Sequence, residues 1–192
     1  MKSKWFLPTL LKHKTAFQRE MLLFLQTPRE YIYIFTYPTD KTVKIEDYNP
    51  HITQVGIKLI KKIQKELPNL KIRFIGSAAL RIPGQNDIDL FVESPSKDLG
   101  KYSRPLFSIL GKPTKKRRKF IEWHVKHDGC TVELVVADPL SNIFKNSVTT
   151  FQLLKDNKKL LREYEHLKFD SDGSSVREYN KRKLVFFNKI LM

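Results

Sequence analysis

Two carboxylates two residues apart, Asp87 and Asp89, are the side chains here best placed to do chemistry. They sit in Asp87-Ile-Asp-Leu-Phe-Val92, whose strict alternation reads as a strand. Asp87, Asp89 and Phe91 then leave one face, and Ile88, Leu90 and Val92 the other. Carboxylates paired in this way can share one or two hard divalent cations. Mg²⁺, or Mn²⁺ in its place, takes a few carboxylates together with substrate phosphate oxygens and water. Ten residues before Asp87, Gly76-Ser77 ends one predicted strand and opens a short helical turn. Glycine lets a phosphate come close to the backbone, and Ser77 with nearby N–H groups can bond its oxygens. A carboxylate from a later strand would complete a two-metal clamp for in-line displacement at phosphorus. Glu133 is the first choice and Glu122 the reserve. The competing explanation is that this side of the sheet is simply solvent-exposed.

Other chemistry is less supported. Lys115-Lys-Arg-Arg-Lys119 could grip an NTP triphosphate or an RNA backbone through Lys116, Arg117 and Arg118, or be the solvated entrance to a hairpin. His124 and His127 leave opposite faces of one strand, so one metal ion does not easily take both. Tyr31, Tyr33, Phe35 and Tyr37 could stack on bases or pack within the protein. No nucleophilic triad and no Walker-type loop is evident, which disfavours a P-loop kinase.

The elements that must position these groups follow from pattern and punctuation. Residues 31–37 are aromatic and β-branched and predict a strand, ended by Pro38. Val43–Ile45 predicts a second short extended piece. Asn49-Pro50 predicts a helix start, with Ile52, Val55, Leu59, Ile60, Ile63 and Leu67 at helical spacing and Pro68 after them. Strands are expected at Leu70–Ile75, Asp87–Val92, Phe120–Lys126 and Thr131–Ala137, with a short helix at Arg104–Leu110 and a hairpin turn at Asp128-Gly129. One long helix is expected from Phe151 to Phe169. A last helix follows, with Ser175 and Glu178 at capping-box spacing. The expected fold is α/β or α+β: a small mixed sheet with helices on one face.

The chain has 192 residues, 36 Lys and Arg against 20 Asp and Glu, and a formal net charge of +16. That length suits one domain with an appendage. That charge favours phosphate-bearing partners and speeds their arrival at low salt. The single cysteine, Cys130, excludes an internal disulfide and a Cys-rich zinc site, and fits a reducing cytoplasm. The apolar patch Met21–Leu25 is too short to span a bilayer, which takes roughly 20 apolar residues, so no stable membrane insertion is expected. Leu10, Leu11, Phe17, Met21, Phe24 and Leu25 approximate an amphipathic stripe.

The ordered set Ile75-Gly-Ser77, Asp87-Ile-Asp-Leu90 and Glu133 resembles the nucleotidyltransferase superfamily that includes polymerase β and the CCA-adding enzymes. More closely, the chain is similar to the GrpB-like (UPF0157) family within it. That similarity rests on Ile45-Glu-Asp-Tyr-Asn-Pro50, Arg73-Phe-Ile-Gly-Ser-Ala78, Pro83-Gly84, Ile88-Asp89, and a tail through Arg162-Glu-Tyr164, Leu167-Lys168 and Glu178-Tyr179 to Lys183. It divides the chain into an extension, residues 1–42, and a nucleotidyltransferase-like domain, residues 43–192. Departures are Phe74 where the family usually has His, Glu133-Leu-Val-Val where many members carry a His-rich strand, and Phe151-Gln-Leu in place of Phe-Arg-Asp. The resemblance implies transfer of a nucleoside monophosphate from an NTP to an acceptor, with RNA or a tRNA end suggested by the charge. Its alternatives are a catalytically inactive nucleotide- or RNA-binding module and a toxin-type transferase.

Overall fold

The computed structural model describes residues 28–191. The amphipathic stripe expected between Leu10 and Leu25 therefore lies outside the described residues. Among the described residues the chain divides into two compact units, one of Lys44–Phe169 and one of residues 28–43 with 170–191. The last helix thus groups with the N-terminal segment rather than with the sheet.

In the larger unit, helix α2 (Pro50–Glu66) begins as the sequence requires. Asn49 accepts a hydrogen bond from His51 N at 2.9 Å, and Pro50 fills the first turn. Strand β1 (Ile72–Ile75) leads into the short helix α3 (Gly76–Leu80), and strand β2 (Asp87–Glu93) follows. A 3₁₀ turn (Ser96–Asp98) and helix α4 (Leu99–Leu110) come next. The basic run does not simply lead into the strand expected at Phe120–Lys126. Instead Lys115–Lys116 forms its own short strand, β3, antiparallel to β4 (Phe120–His127). A turn at Asp128-Gly129 leads to β5 (Cys130–Ala137). Both turn residues have positive φ, 48° and 78°, as a tight hairpin demands.

The sheet is mixed, in the order β1-β2-β5-β4-β3, with β2 and β5 its one parallel pair. One face carries Ile88, Leu90, Val92, Ile121, Trp123, Val132, Leu134 and Val136, all buried beneath α2 and α4. Trp123 is fully buried and its indole N–H donates to Gly111 O at 2.9 Å, so the largest side chain of the core carries no unmet donor. The other face is only partly covered. Phe91, Val135, Ala137 and Ile75 form a smaller core with Phe144 of helix α5 (Asn142–Asp156). That cover acts on the half of the face beyond Asp89.

The helix expected at Phe151–Phe169 is two. α5 starts at Asn142, where Ser141 is the N-cap, and ends at Asp156. Asn157 then caps α6 (Lys158–Phe169), accepting from Lys159 N at 3.0 Å and Leu160 N at 3.1 Å. An amide side chain that satisfies two free N–H groups favours a new helix start over continuation.

In the smaller unit, residues 31–37 are not a strand. Helix α1 (Pro28–Ile34) and a following turn occupy them. Pro28 stands at the first helical position, and Ile34 is buried with Tyr31 and Tyr37 half-buried, a spacing of three that belongs to a helix. Tyr31–Phe35 and Tyr33–Tyr37 make edge-on ring contacts at 5.5 and 5.4 Å, the four-residue spacing of a helix surface. The last helix, α7 (Val176–Leu191), starts where the capping box places it, with Glu178 N donating to Ser175 Oγ at 3.2 Å. Instead of a strand at Val43–Ile45, the chain makes isolated bridges, Thr42 with Ser175 in this unit and Glu46 with Gly84 in the larger one.

Candidate active site

Registered neighbours in a sheet share a face, so the strand pairing decides which polar groups meet. One row across the sheet is Ile75, Asp89, Glu133 and His124. The next is Asp87, Thr131 and Lys126, where the Lys126 ammonium donates to Thr131 Oγ1 at 2.7 Å. Beyond Asp89 lies the row Arg73, Phe91, Val135 and Glu122, with Lys115 opposite Glu122. Asp89 and Glu133 are therefore direct partners on adjacent strands. Glu122 is one strand further from Asp89, in the row that the small core covers, and 3.9 Å from Lys115. Register thus sets Glu133, not Glu122, beside the Asp pair.

Gly76 explains why a glycine precedes the serine. Its φ is +75°, a conformation side chains rarely adopt, and a Cβ there would fall 1.7 Å from Asp89 Oδ2. The Asp89 carboxylate lies across the Gly76 backbone, so these two sequence signals form one contact. Ser77 is buried in the five-residue α3. Its carbonyl accepts from Ile82 N at 3.1 Å, beside the left-handed Arg81 that ends the helix.

The loop before Asp87 is held from outside. Glu46 and Gly84 exchange backbone hydrogen bonds of 2.8 and 2.9 Å, and Asn86 donates to the Glu46 carboxylate at 2.7 Å. Hydrogen bonds from Lys44 and then Asn86 hold the Glu46 carboxyl below its ordinary range.

The strand order separates the basic run from this region. β3 is the far edge of the sheet, three strands from β2, or roughly 14 Å at the usual spacing. Lys116 also registers with Ile121, on the face opposite the carboxylates. Lys116, Arg117 and Arg118 are exposed there and are not brought together with Gly76 and Ser77.

One residue named above only for its family likeness reaches Ser77. Lys168, in the last turn of α6, is 2% exposed, and its ammonium donates to Ser77 Oγ at 2.6 Å. It also lies 4.9 Å from the centre of the Tyr164 ring. The sequence held a signal: Leu160, Tyr164 and Lys168 are four apart, which puts Lys168 on the apolar stripe of its helix.

The family model described as GrpB protein matches residues 42–192. The chain belongs to the GrpB family. Its backbone is similar to that of the conserved protein GrpB from Enterococcus faecalis, with a TM-score of 0.58, 14% identity, and 77% of this chain and 99% of that chain covered. At that identity the likeness concerns the fold. Two structures of Cid1, described as a poly(U) polymerase with MgGTP bound and as an RNA terminal uridylyl transferase, align with TM-scores of 0.43 and 0.46 at 13% identity. They cover 70% and 76% of this GrpB chain, which spans 44% and 45% of theirs. No curated protein matches the sequence.

The donor set suits a hard divalent cation, because Asp87, Asp89 and Glu133 offer only carboxylate oxygens from neighbouring register positions. Among the described residues, no group of three or more His, Cys, Asp or Glu is already gathered as a ligand set. Register alone makes these three positions neighbours, and their side chains would have to converge to hold an ion. No helix among the described residues is long and apolar enough to cross a membrane.

Proposed function

We propose that this GrpB-family chain is a metal-dependent nucleotidyltransferase that moves a nucleoside monophosphate from an NTP to an acceptor hydroxyl or phosphate. The observation that carries the reading is the contact of Asp89 with Gly76, with Asp87 two residues before on the same face and Glu133 directly opposite. Mg²⁺ or Mn²⁺ held by Asp87, Asp89 and Glu133 would neutralise phosphate charge and support in-line displacement at the α-phosphorus. The chain's own groups do the rest. Gly76 lets the triphosphate approach the backbone, and Ser77 donates a hydrogen bond to a β- or γ-phosphate oxygen. Glu133 takes the acceptor's proton as its oxygen bonds to phosphorus and pyrophosphate leaves. Positioning and charge stabilisation supply most of the rate, as in phosphoryl transfer generally. We take residues 43–192 as the functional domain and 1–42 as its extension.

A second reading, a nucleic-acid-binding module, draws on the exposed Lys116, Arg117 and Arg118 at an edge remote from the carboxylates. Incubating the protein with each of four α-³²P NTPs, Mg²⁺ or Mn²⁺, and total RNA separates the two. Label on RNA or on the protein that disappears in Asp87→Ala/Asp89→Ala establishes the transferase and its acceptor class. No label from folded protein, with RNA binding unchanged in that variant, selects the binding module.

A further inference from the structure

Lys168 and Ser77 lie 91 positions apart in the chain, yet they form a buried pair at the proposed phosphate end of the site. Their surroundings are built around that pair. A Cβ on Gly84 would lie 2.8 Å from Ser77 Oγ and 3.4 Å from Lys168 Nζ, so Pro83-Gly84 needs its glycine to make room. The ammonium ends a helix, where the backbone dipole favours a cation, and the Tyr164 ring lies beside it.

The direction of the hydrogen bond has a chemical consequence. A lysine ammonium has three donors and no acceptor, so Ser77 Oγ must accept. A hydroxyl that accepts at its oxygen keeps its one hydrogen to donate. A positive charge 2.6 Å behind that oxygen strengthens the O–H as a donor. The partner that best meets a polarised O–H backed by a buried cation is an anionic oxygen.

We propose that Lys168 is a positioning residue that makes Ser77 an obligate donor to the terminal phosphates of a polyphosphate ligand. This rests on the nucleotidyltransferase reading for the identity of the ligand as an NTP, but not for the pairing itself. Lys168 acts through Ser77, so its effect on phosphate affinity depends on the Ser77 hydroxyl. A lysine that merely ties α6 to α3 would change stability and show no such dependence.

The test is a double-mutant cycle on affinity for inorganic tripolyphosphate, measured by calorimetry with Ser77→Ala, Lys168→Met and the double variant. Each single change is expected to weaken binding about tenfold, the double variant no further, and Lys168→Arg to retain most of the affinity. Losses that multiply in the double variant, or unchanged affinity in Lys168→Met, overturn the proposal. Nitrogen-15 NMR of the lysine ammonium groups in the wild type needs no variant to fold. A charged Lys168 at pH 7 whose signal moves on adding tripolyphosphate supports the proposal, and a neutral amine or an unmoved signal refutes it. Coupled tripolyphosphate binding without nucleotide transfer would remove the transferase reading and leave this one standing. Transfer without coupling would do the reverse.

Discussion

At the scale of single residues, the site rests on one steric fact: Gly76 has no side chain because Asp89 occupies the space. Gly76→Ala would place a methyl group 1.7 Å from Asp89 Oδ2 and force a left-handed backbone that costs about 1–2 kcal/mol by itself. The variant is expected to lose well over that amount in urea unfolding and to lose the proposed nucleotide transfer. Adding Asp89→Ala removes the clashing oxygen, which returns part of the stability and none of the transfer. Stability that did not recover would mean that the Asp89 contact is not what requires the glycine. Asp87, Asp89, Gly76 and Ser77 could be picked out of the sequence because alternation and a glycine-serine pair are local patterns. Lys168 could not be linked to them, because nothing in a helix sequence tells which distant turn its apolar stripe will cover.

At the scale of elements, the hairpin β4–β5, helix α2 and the capping box at Ser175 were legible because turn and cap residues sit where backbone geometry demands them. The misreadings share one cause. Tyr31–Tyr37 has strand-like composition, but Pro28 and ring pairs four residues apart favour a helix. Phe151–Phe169 has a continuous apolar stripe, but Asn157 interrupts it with a cap whose strength depends on two hydrogen bonds. In both, a punctuating residue outweighed the average character of its neighbours. Asn157→Ala is accordingly expected to cost about 1 kcal/mol, read as a lower urea midpoint.

Asp138 makes the corresponding tie at the end of β5. It accepts from Leu140 N at 2.9 Å, from Ser96 N at 2.9 Å and from the Ser96 hydroxyl, joining the turn after β2 to the end of β5. Those bonds, Ser96's hydroxyl first, hold its carboxyl below the usual range. A depressed folded-state pKa contributes stability above the unfolded value, about 3.9, and loses it as pH falls through the folded value. Wild type should therefore exceed Asp138→Asn in stability at pH 7, with the gap closing below about pH 4. A gap that stayed constant into acid would show that the carboxylate's charge contributes nothing.

At the scale of the whole molecule, the net charge of +16 cannot be assigned to the carboxylate site, where Asp87, Asp89 and Glu133 are negative. The sheet keeps that acidic set apart from the basic run. Acid occupies the central strands β2 and β5, and the run Lys116, Arg117, Arg118 occupies the edge that β3 leaves open. Under the nucleic-acid-binding reading, that rim is where a polyanion would attach. Attachment by phosphate contacts alone is salt-dependent, with log K falling by about 0.7 per log unit of salt for each single-strand phosphate neutralised. Changing Lys116, Arg117 and Arg118 together to Gln should therefore flatten the salt dependence of RNA binding by about 2, if each makes one contact. The same change should leave tripolyphosphate affinity near wild type, since these side chains lie three strands from β2. Fluorescence anisotropy across a salt series measures the first and calorimetry the second. An unchanged slope would place the RNA elsewhere on the basic surface, and a loss of tripolyphosphate affinity would mean that the rim and the centre form one site.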